Sequence, residues 1–273
     1  MRSTSVVAVI VAGLAMGGML ACGDSKAQGE TPDSGTPGSE VDSGTPQQSA
    51  GCPANAILCE DFEKGQNGWK EPDEKQHATI AVDGTRVHGG KGALHVTTED
   101  NLHEDSPDHP QAIAHYRKDM PAFGTTLYTR AWVYLARVPQ EGVMGTFFIL
   151  FSPKDNDWGG IELQAMKNGG FALDDWSGVL GTGWNLEDPA VVVMQAGRWT
   201  CLEWGVSRAR PTDTTGHAQV WVDGTQAFDF PNVGMRPFSN FAVGWGFVHP
   251  HGDSDSETWI DDLAVAPTRI GCN

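Results

Sequence analysis

Three side chains with chemical potential alternate along one short stretch: Arg130, Trp132 and Tyr134, opposite Ala131, Val133 and Leu135. Alternate residues of an extended strand share a face, so a guanidinium, an indole and a phenol fall together. Glu162 and Gln164 likewise turn away from Ile161 and Leu163, and His115, Tyr116 and Arg117 form a dense polar cluster on a further stretch. Arg and Gln suit a carboxylate ligand, whereas His, Tyr and Glu suit proton transfer. Glu162 with Asp174 or Asp175 could supply the two opposed carboxyl groups, about 5–10 Å apart, that glycoside hydrolysis needs. No run of acids spaced two apart on one strand accompanies them. The plainer reading of all these residues is a solvated sheet face or a non-catalytic sugar groove.

A second signal lies near the C-terminus. Strict alternation over Thr258–Ala266 places Asp261 on the same face as Trp259, Leu263 and Val265. A carboxylate among apolar side chains is costly unless a cation or a hydrogen-bond donor meets it. The loop HPHGDSDSE, His249 to Glu257, mixes imidazole and carboxylate as a metal site would. Polar loops of this composition are usually solvated, and His103 and His109 in NLHEDSPDHP are read in the same way.

The elements that must position these groups read as strands. Short runs rich in Val, Phe, Trp and Thr recur at Ile57–Phe62, Ala78–Val82, Ala93–Thr97, Ala112–Arg117, Leu127–Leu135, Thr146–Phe151, Gly160–Met166 and Gly170–Asp174. They continue at Ala190–Gln195, Trp199–Val206, Ala218–Val222, Thr225–Phe230, Phe241–Val248 and Thr258–Ala266. Val222-Asp223-Gly224-Thr225 marks a tight hairpin, since Asp-Gly supplies positive φ. Many strands, 34 glycines and 16 prolines predict an all-β jelly-roll β-sandwich of two antiparallel sheets. Of the ten tryptophans, Trp132, Trp199, Trp204, Trp221, Trp245 and Trp259 lie in apolar strands as core residues would. Trp158, Trp176 and Trp184 lie in Asp/Asn/Gly-rich loops, where an aromatic face beside polar groups suits a sugar ring. Trp132, beside Arg130, is a further candidate for glycan contact.

The start of the chain reads as a leader. A basic MRSTS, a short apolar run and Met19-Leu20-Ala21-Cys22 mark an export signal over residues 1–21. The last four resemble a bacterial lipoprotein box, which would make Cys22 the lipidated N-terminus; an ordinary cleaved signal is the alternative. Lipidation would tether the chain to a membrane surface without spanning it, with the membrane left open. Residues 22–51 contain DSGTP twice and almost no apolar side chain, the composition of a flexible acidic stalk. Residues 52–273 then form one domain. The chain carries a formal charge of −17, about −14 of it in that domain, which excludes nucleic acid and acidic lipid as natural partners. Cys52, Cys59, Cys201 and Cys272 remain after the leader. Four cysteines in an exported domain argue for two disulfides, and spacing leaves three pairings open.

CEDFEKG, VHGGKGALHV, LYTRAWVYL, RWTCLEW followed by VWVDGT, and WIDDLAVAPTRIGC occur in that order over Cys52–Cys272. This ordered set resembles the cellulose-induced secreted proteins of cellulose-degrading fungi and bacteria, a concanavalin A-like jelly-roll family akin to glucuronan lyases. The resemblance implies a calcium ion tying the first strand to the last. Its ligands would be Glu63, the backbone carbonyls of Gly89 and Gly92, and Asp261, all hard oxygens as Ca²⁺ prefers. It also implies a Cys201–Cys272 disulfide, leaving Cys52–Cys59 as the second pair. The family's cleft carries a His and an Arg where this chain has Glu162 and Gln164, and an acidic position where it has Gly246, so the inherited acid–base pair is absent.

A β-eliminating lyase must neutralise a uronate carboxylate, abstract a proton and protonate the leaving oxygen. Were their strands to share one sheet, Arg130 and Gln164 would bind the carboxylate and Tyr134 or His115 would serve as base, with Glu162 nearby. The expectation is a monomeric, surface-tethered protein that binds polysaccharide. A neutral glucan is favoured over a polyuronate, because the acidic chain repels polyanions. A polysaccharide lyase is the alternative, and a structural or adhesion module a third reading.

Overall fold

The computed structural model describes residues 51–71, 77–99, 111–140, 144–152, 159–178, 185–188, 192–248 and 255–272, with the backbone alone at 185–188 and Asn168. These all lie within one compact unit, residues 44–273. Cys22, the leader, most of the stalk, Trp158, Trp184, His103, His109, His249 and His251 lie outside the described residues.

Among the described residues, fourteen strands make two antiparallel sheets: β1 (Leu58–Glu60), β2 (Ala78–Asp83), β3 (Ala93–Thr98), β4 (Gln111–Asp119), β5 (Thr126–Leu135), β6 (Gly145–Ser152), β7 (Gly159–Ala165), β8 (Phe171–Asp175), β9 (Asn185–Asp188), β10 (Trp199–Ser207), β11 (Thr215–Val222), β12 (Thr225–Gly234), β13 (Asn240–Val248) and β14 (Ser256–Ala266). The larger sheet runs β12-β11-β10-β5-β14-β3-β2, with β1 also on β14; the smaller runs β4-β13-β6-β7-β8-β9. The all-β jelly-roll sandwich is the fold. No helix among the described residues is long and apolar enough to cross a membrane.

Burial follows the alternation. Ala112, Ala114 and Tyr116 of β4, Phe241, Val243, Trp245 and Phe247 of β13, and Ile161 and Leu163 of β7 face inward. They meet Leu127, Ala131, Val133 and Leu135 of β5 and Leu202, Trp204 and Val206 of β10. Trp204 and Trp245 are core residues as read, but Trp132, Trp199, Trp221 and Trp259 are not part of this central cluster. Trp132, Trp221 and Trp259 lie in strands whose core-facing neighbours are the alternate residues, so they project from the outer side of the larger sheet.

One apolar run misleads. Of Ala190–Gln195, the described residues 192–195 form no strand, and the neighbouring strand is β9. Met194 is buried in the core and its N–H bonds the Gly169 carbonyl, so this apolar stretch packs as a loop.

β14 departs from strict alternation. Its pairing with β5 shifts between Asp261 and Ala264, and Asp262 takes positive φ at 48°. This bulge inserts one residue and reverses the phase. Trp259 and Asp261 stay opposite Tyr134 and Trp132 on the outer face, whereas Ile260, Leu263 and Val265 enter the core. Asp261 is therefore not a carboxylate among Leu263 and Val265. Beyond the bulge β14 exchanges its β3 neighbour for β1, pairing Leu58, Cys59 and Glu60 with Val265, Ala264 and Leu263.

Candidate functional site

The two sheets separate residues that the sequence placed together. Arg130, Trp132 and Tyr134 belong to β5 in the larger sheet, whereas His115, Glu162 and Gln164 belong to β4 and β7 in the smaller. Since β5 bonds β10 and β14, its outward face is on the far side of the sandwich from that of β7. A site combining Arg130 or Tyr134 with Gln164 and His115 does not exist in this fold.

Arg130 is instead 1% exposed. Burial lowers its pKa, opposed by the charges of Asp262 and Glu203. Trp132 stacks on His88 with ring centroids 3.9 Å apart, and the Arg86 guanidinium lies 3.9 Å from the Tyr134 ring centroid. Trp132 is half-buried, with one face of its indole covered by His88. The roof also includes the C-terminal segment: Glu203 accepts the Ile270 N–H at 2.6 Å and the Arg269 Nε–H at 2.9 Å. Cys201–Cys272 closes it, and Cys52–Cys59 is the second disulfide.

Glu63 and Asp261 meet the same loop. Asp261 Oδ2 accepts the N–H groups of His88 and Gly89 at 2.9 and 3.1 Å, and Glu63 Oε1 accepts those of Lys91 and Gly92 at 2.5 and 2.9 Å. Asp261 is 0% exposed, and burial, with adjacent Asp262 adding repulsion, pushes its pKa up to about 7 despite the amide bonds. No group of three or more His, Cys, Asp or Glu side chains gathers here among the described residues, so backbone oxygens would have to complete any metal shell. Both carboxylates are thus met by backbone N–H donors, the partner that buried Asp261 requires; a hard cation would have to share these oxygens with the amides.

The smaller sheet carries a connected polar network on its outer face. It begins at His115 on β4, which pairs with Gly244 on β13. A Cβ at Gly244 would stand 3.0 Å from His115 Cδ2; glycine lets the imidazole cross the strand. His115 Nε2 then reaches the Thr146 carbonyl on β6 at 3.2 Å, where the β13–β6 ladder is interrupted between Val243 and Phe247. Burial lowers the His115 pKa to about 4, so the ring is neutral with Nε2 as donor. Thr146 Oγ1 donates to Glu162 Oε2 at 2.7 Å and accepts from Gln164 Nε2 at 3.2 Å. Thr146 was missed by the sequence reading; a hydroxyl opening an otherwise apolar run was its one signal.

Asp174 on β8 pairs directly with Glu162. Directly opposed residues place their Cβ atoms about 5 Å apart, so the carboxyl groups share one space. Glu162 is 7% exposed; its pKa rises to about 7 through burial and then the Asp174 charge, against hydrogen bonds from Thr146, Trp176 and Gln164. Asp174 rises to about 6 through burial and then the charge of Asp175. Asp175 itself pairs with inward Ile161 and accepts the N–H groups of Gly234 and Ser177 at 2.7 and 3.1 Å, a structural bond that removes it as the partner of Glu162. Gln164 Oε1 and Asp174 Oδ1 are buried without a hydrogen bond. A buried unmet acceptor costs about 1–3 kcal/mol, which a donor from a ligand would recover.

Trp176 borders this network. A Cβ on Gly160, two residues before Glu162, would lie 2.5 Å from Trp176 Cζ2, so the indole lies over the backbone at that glycine. Trp176 is half-buried, unlike the fully buried core tryptophans. Of the four tryptophans proposed for glycan contact, it is the one described beside a polar floor.

No family model matches the sequence, and no curated protein is similar to it. The fold is nonetheless shared with solved structures. The cellulose-induced protein Cip1 superposes with a TM-score of 0.57 at 20% identity, covering 79% of this chain and 100% of its own. The endo-β-1,4-glucuronan lyase of the fungus Trichoderma reesei also gives 0.57, at 15% identity, covering 78% and 96%. This chain therefore has the jelly-roll fold of these proteins.

Proposed function

We propose that this protein binds polysaccharide on the outer face of its smaller sheet, across Trp176, Glu162, Gln164 and His115. The single observation that carries the reading is the juxtaposition of a half-buried indole with buried, unmet hydrogen-bonding groups on one strand pair. Sugar rings present an apolar C–H face and a hydroxyl rim to such surfaces. The fold shared with a cellulose-induced protein and a glucuronan lyase supports it. Among the described residues no cation pairs with Glu162 or Asp174, and His115 is neutral, so a uronate there would meet two carboxyl groups. A non-acidic glycan is the ligand class, and binding rather than β-elimination is the activity.

Calcium belongs to this reading as a structural ion, held by Glu63, Asp261 and the Gly89 and Gly92 carbonyl oxygens away from the glycan face. The chain acts as a monomer displayed on an envelope membrane through lipid on Cys22. The test is retention of the full-length chain on insoluble glycans together with ultraviolet detection of unsaturated products from polyuronates. Retention without product is expected. Product formation would replace the binding reading with a lyase, and failure to bind any glycan would leave an adhesion module.

A further inference from the structure

The atoms left unmet on the smaller sheet are of one kind. Gln164 Oε1 and Asp174 Oδ1 are buried acceptors with no donor, and they flank the Glu162 carboxyl group. Gln164 is 3% exposed and anchored through Nε2 to Thr146, which leaves its carbonyl end for a ligand. Its buried oxygen is independent of the acidic pair and marks the same space as a place where a donor is wanted. A uronate carboxylate brings only acceptors, and a hydroxyl brings one donor. An ammonium brings three donors and a positive charge, and has no acceptor to misplace.

Geometry suits such a group. Opposed Glu162 and Asp174 reach a common point from β7 and β8, and Gln164 follows two residues along the same face of β7. Charge-assisted N–H···O bonds span about 2.7–2.9 Å, so one ammonium can bridge two carboxyl groups whose Cβ atoms are about 5 Å apart. It would also screen the mutual repulsion of Glu162 and Asp174. Trp176, over Gly160 on the adjoining turn of the same strand face, supplies an apolar surface for the ring that carries the amine.

We propose that Glu162, Asp174 and Gln164 form a subsite for a protonated amino sugar, so that the glycan bound on this face carries free amines. The proposal rests on that face being a glycan site, and names the sugar within it.

The test is calorimetric titration of the full-length chain with three short β-linked oligosaccharides: glucosamine, N-acetylglucosamine and glucose oligomers, at a pH where the sugar amine holds its proton. The glucosamine oligomer is expected to bind about tenfold or more tightly than the other two. Glu162→Gln and Asp174→Asn, isosteric changes checked for folding by their melting curves, should abolish the preference. Asp229→Asn removes an exposed acid on β12 and should leave it intact. A preference that survives both site variants would be general attraction of a polycation to an acidic chain, and would overturn the proposal. Equal binding of all three oligomers, weakened in the site variants, would overturn the amine subsite while upholding the glycan site. Failure of all three to bind would remove both.

Discussion

Glu162 is the residue whose surroundings most constrain its chemistry. It is buried, opposed by Asp174, and still accepts hydrogen bonds that favour its ionised form. Its pKa of about 7 in the folded chain exceeds the ordinary 4.5, so the folded state holds the proton more tightly. Stability from this group is therefore fully present below about pH 4.5 and is lost as pH rises to about 7. Asp174 acts in the same sense over a slightly lower window. His115 acts oppositely: its pKa is depressed to about 4, so its contribution is present above 6.5 and lost on acidification. Glu162→Gln should remove the first loss. At neutral pH the variant should be more stable than the parent by on the order of 2–3 kcal/mol, the gain fading below about pH 4.5. Chemical denaturation across pH checks this, and a variant less stable at pH 7 would mean that the Thr146 bond outweighs the ionisation cost.

At the scale of elements, most strands and their facing direction were legible, the Ala190–Gln195 run excepted, but sheet membership was not. Alternation correctly turned Arg130, Trp132 and Tyr134 away from Ala131 and Val133, and Glu162 and Gln164 away from Ile161 and Leu163. It carries no information on which outer face each strand supplies, because that depends on hydrogen bonds between distant strands. Asp261 failed for a different reason: the bulge at Asp262 changes phase, and a period of two assumed to run through β14 cannot show it. The assignment of faces gives opposite outcomes for two tryptophans. Trp176→Ala should weaken glycan retention at least tenfold with a small change in melting temperature. Trp132→Ala loses its stack on His88 and should cost about 1–2 kcal/mol in stability, leaving retention per folded molecule unchanged. The reverse pattern would place the glycan on the larger sheet. The disulfides are ranked by the same logic of long-range closure. Cys201–Cys272 spans 71 residues and Cys52–Cys59 spans 7. Loop entropy gives about 4 kcal/mol for the first and about 2–3 for the second, so the Cys201→Ala/Cys272→Ala pair should melt well below the Cys52→Ala/Cys59→Ala pair.

For the whole molecule, the feature that joins distant parts is the junction around Asp261. Here β14 leaves β3 for β1, and the loop from His88 to Gly92 is gripped by Asp261 from the last strand and by Glu63 just after the first. The ends of the domain thus meet at two carboxylates and one glycine-rich loop, with Asp262 beside them bonded to the His88 ring. A cation bound in the folded state and not in the unfolded one stabilises by an amount that grows with its concentration. At 100 times its dissociation constant, calcium should contribute about 2.7 kcal/mol, raising the melting temperature by several degrees for a domain of this size. Asp261→Asn should abolish that rise. Asp174→Asn, on the other sheet, should leave it intact and alter glycan binding instead. A calcium-induced rise that persists in Asp261→Asn would place the ion elsewhere, whereas loss of the rise in Asp174→Asn would assign calcium to the glycan face. The two variants together separate what ties the sandwich shut from what it presents to a ligand.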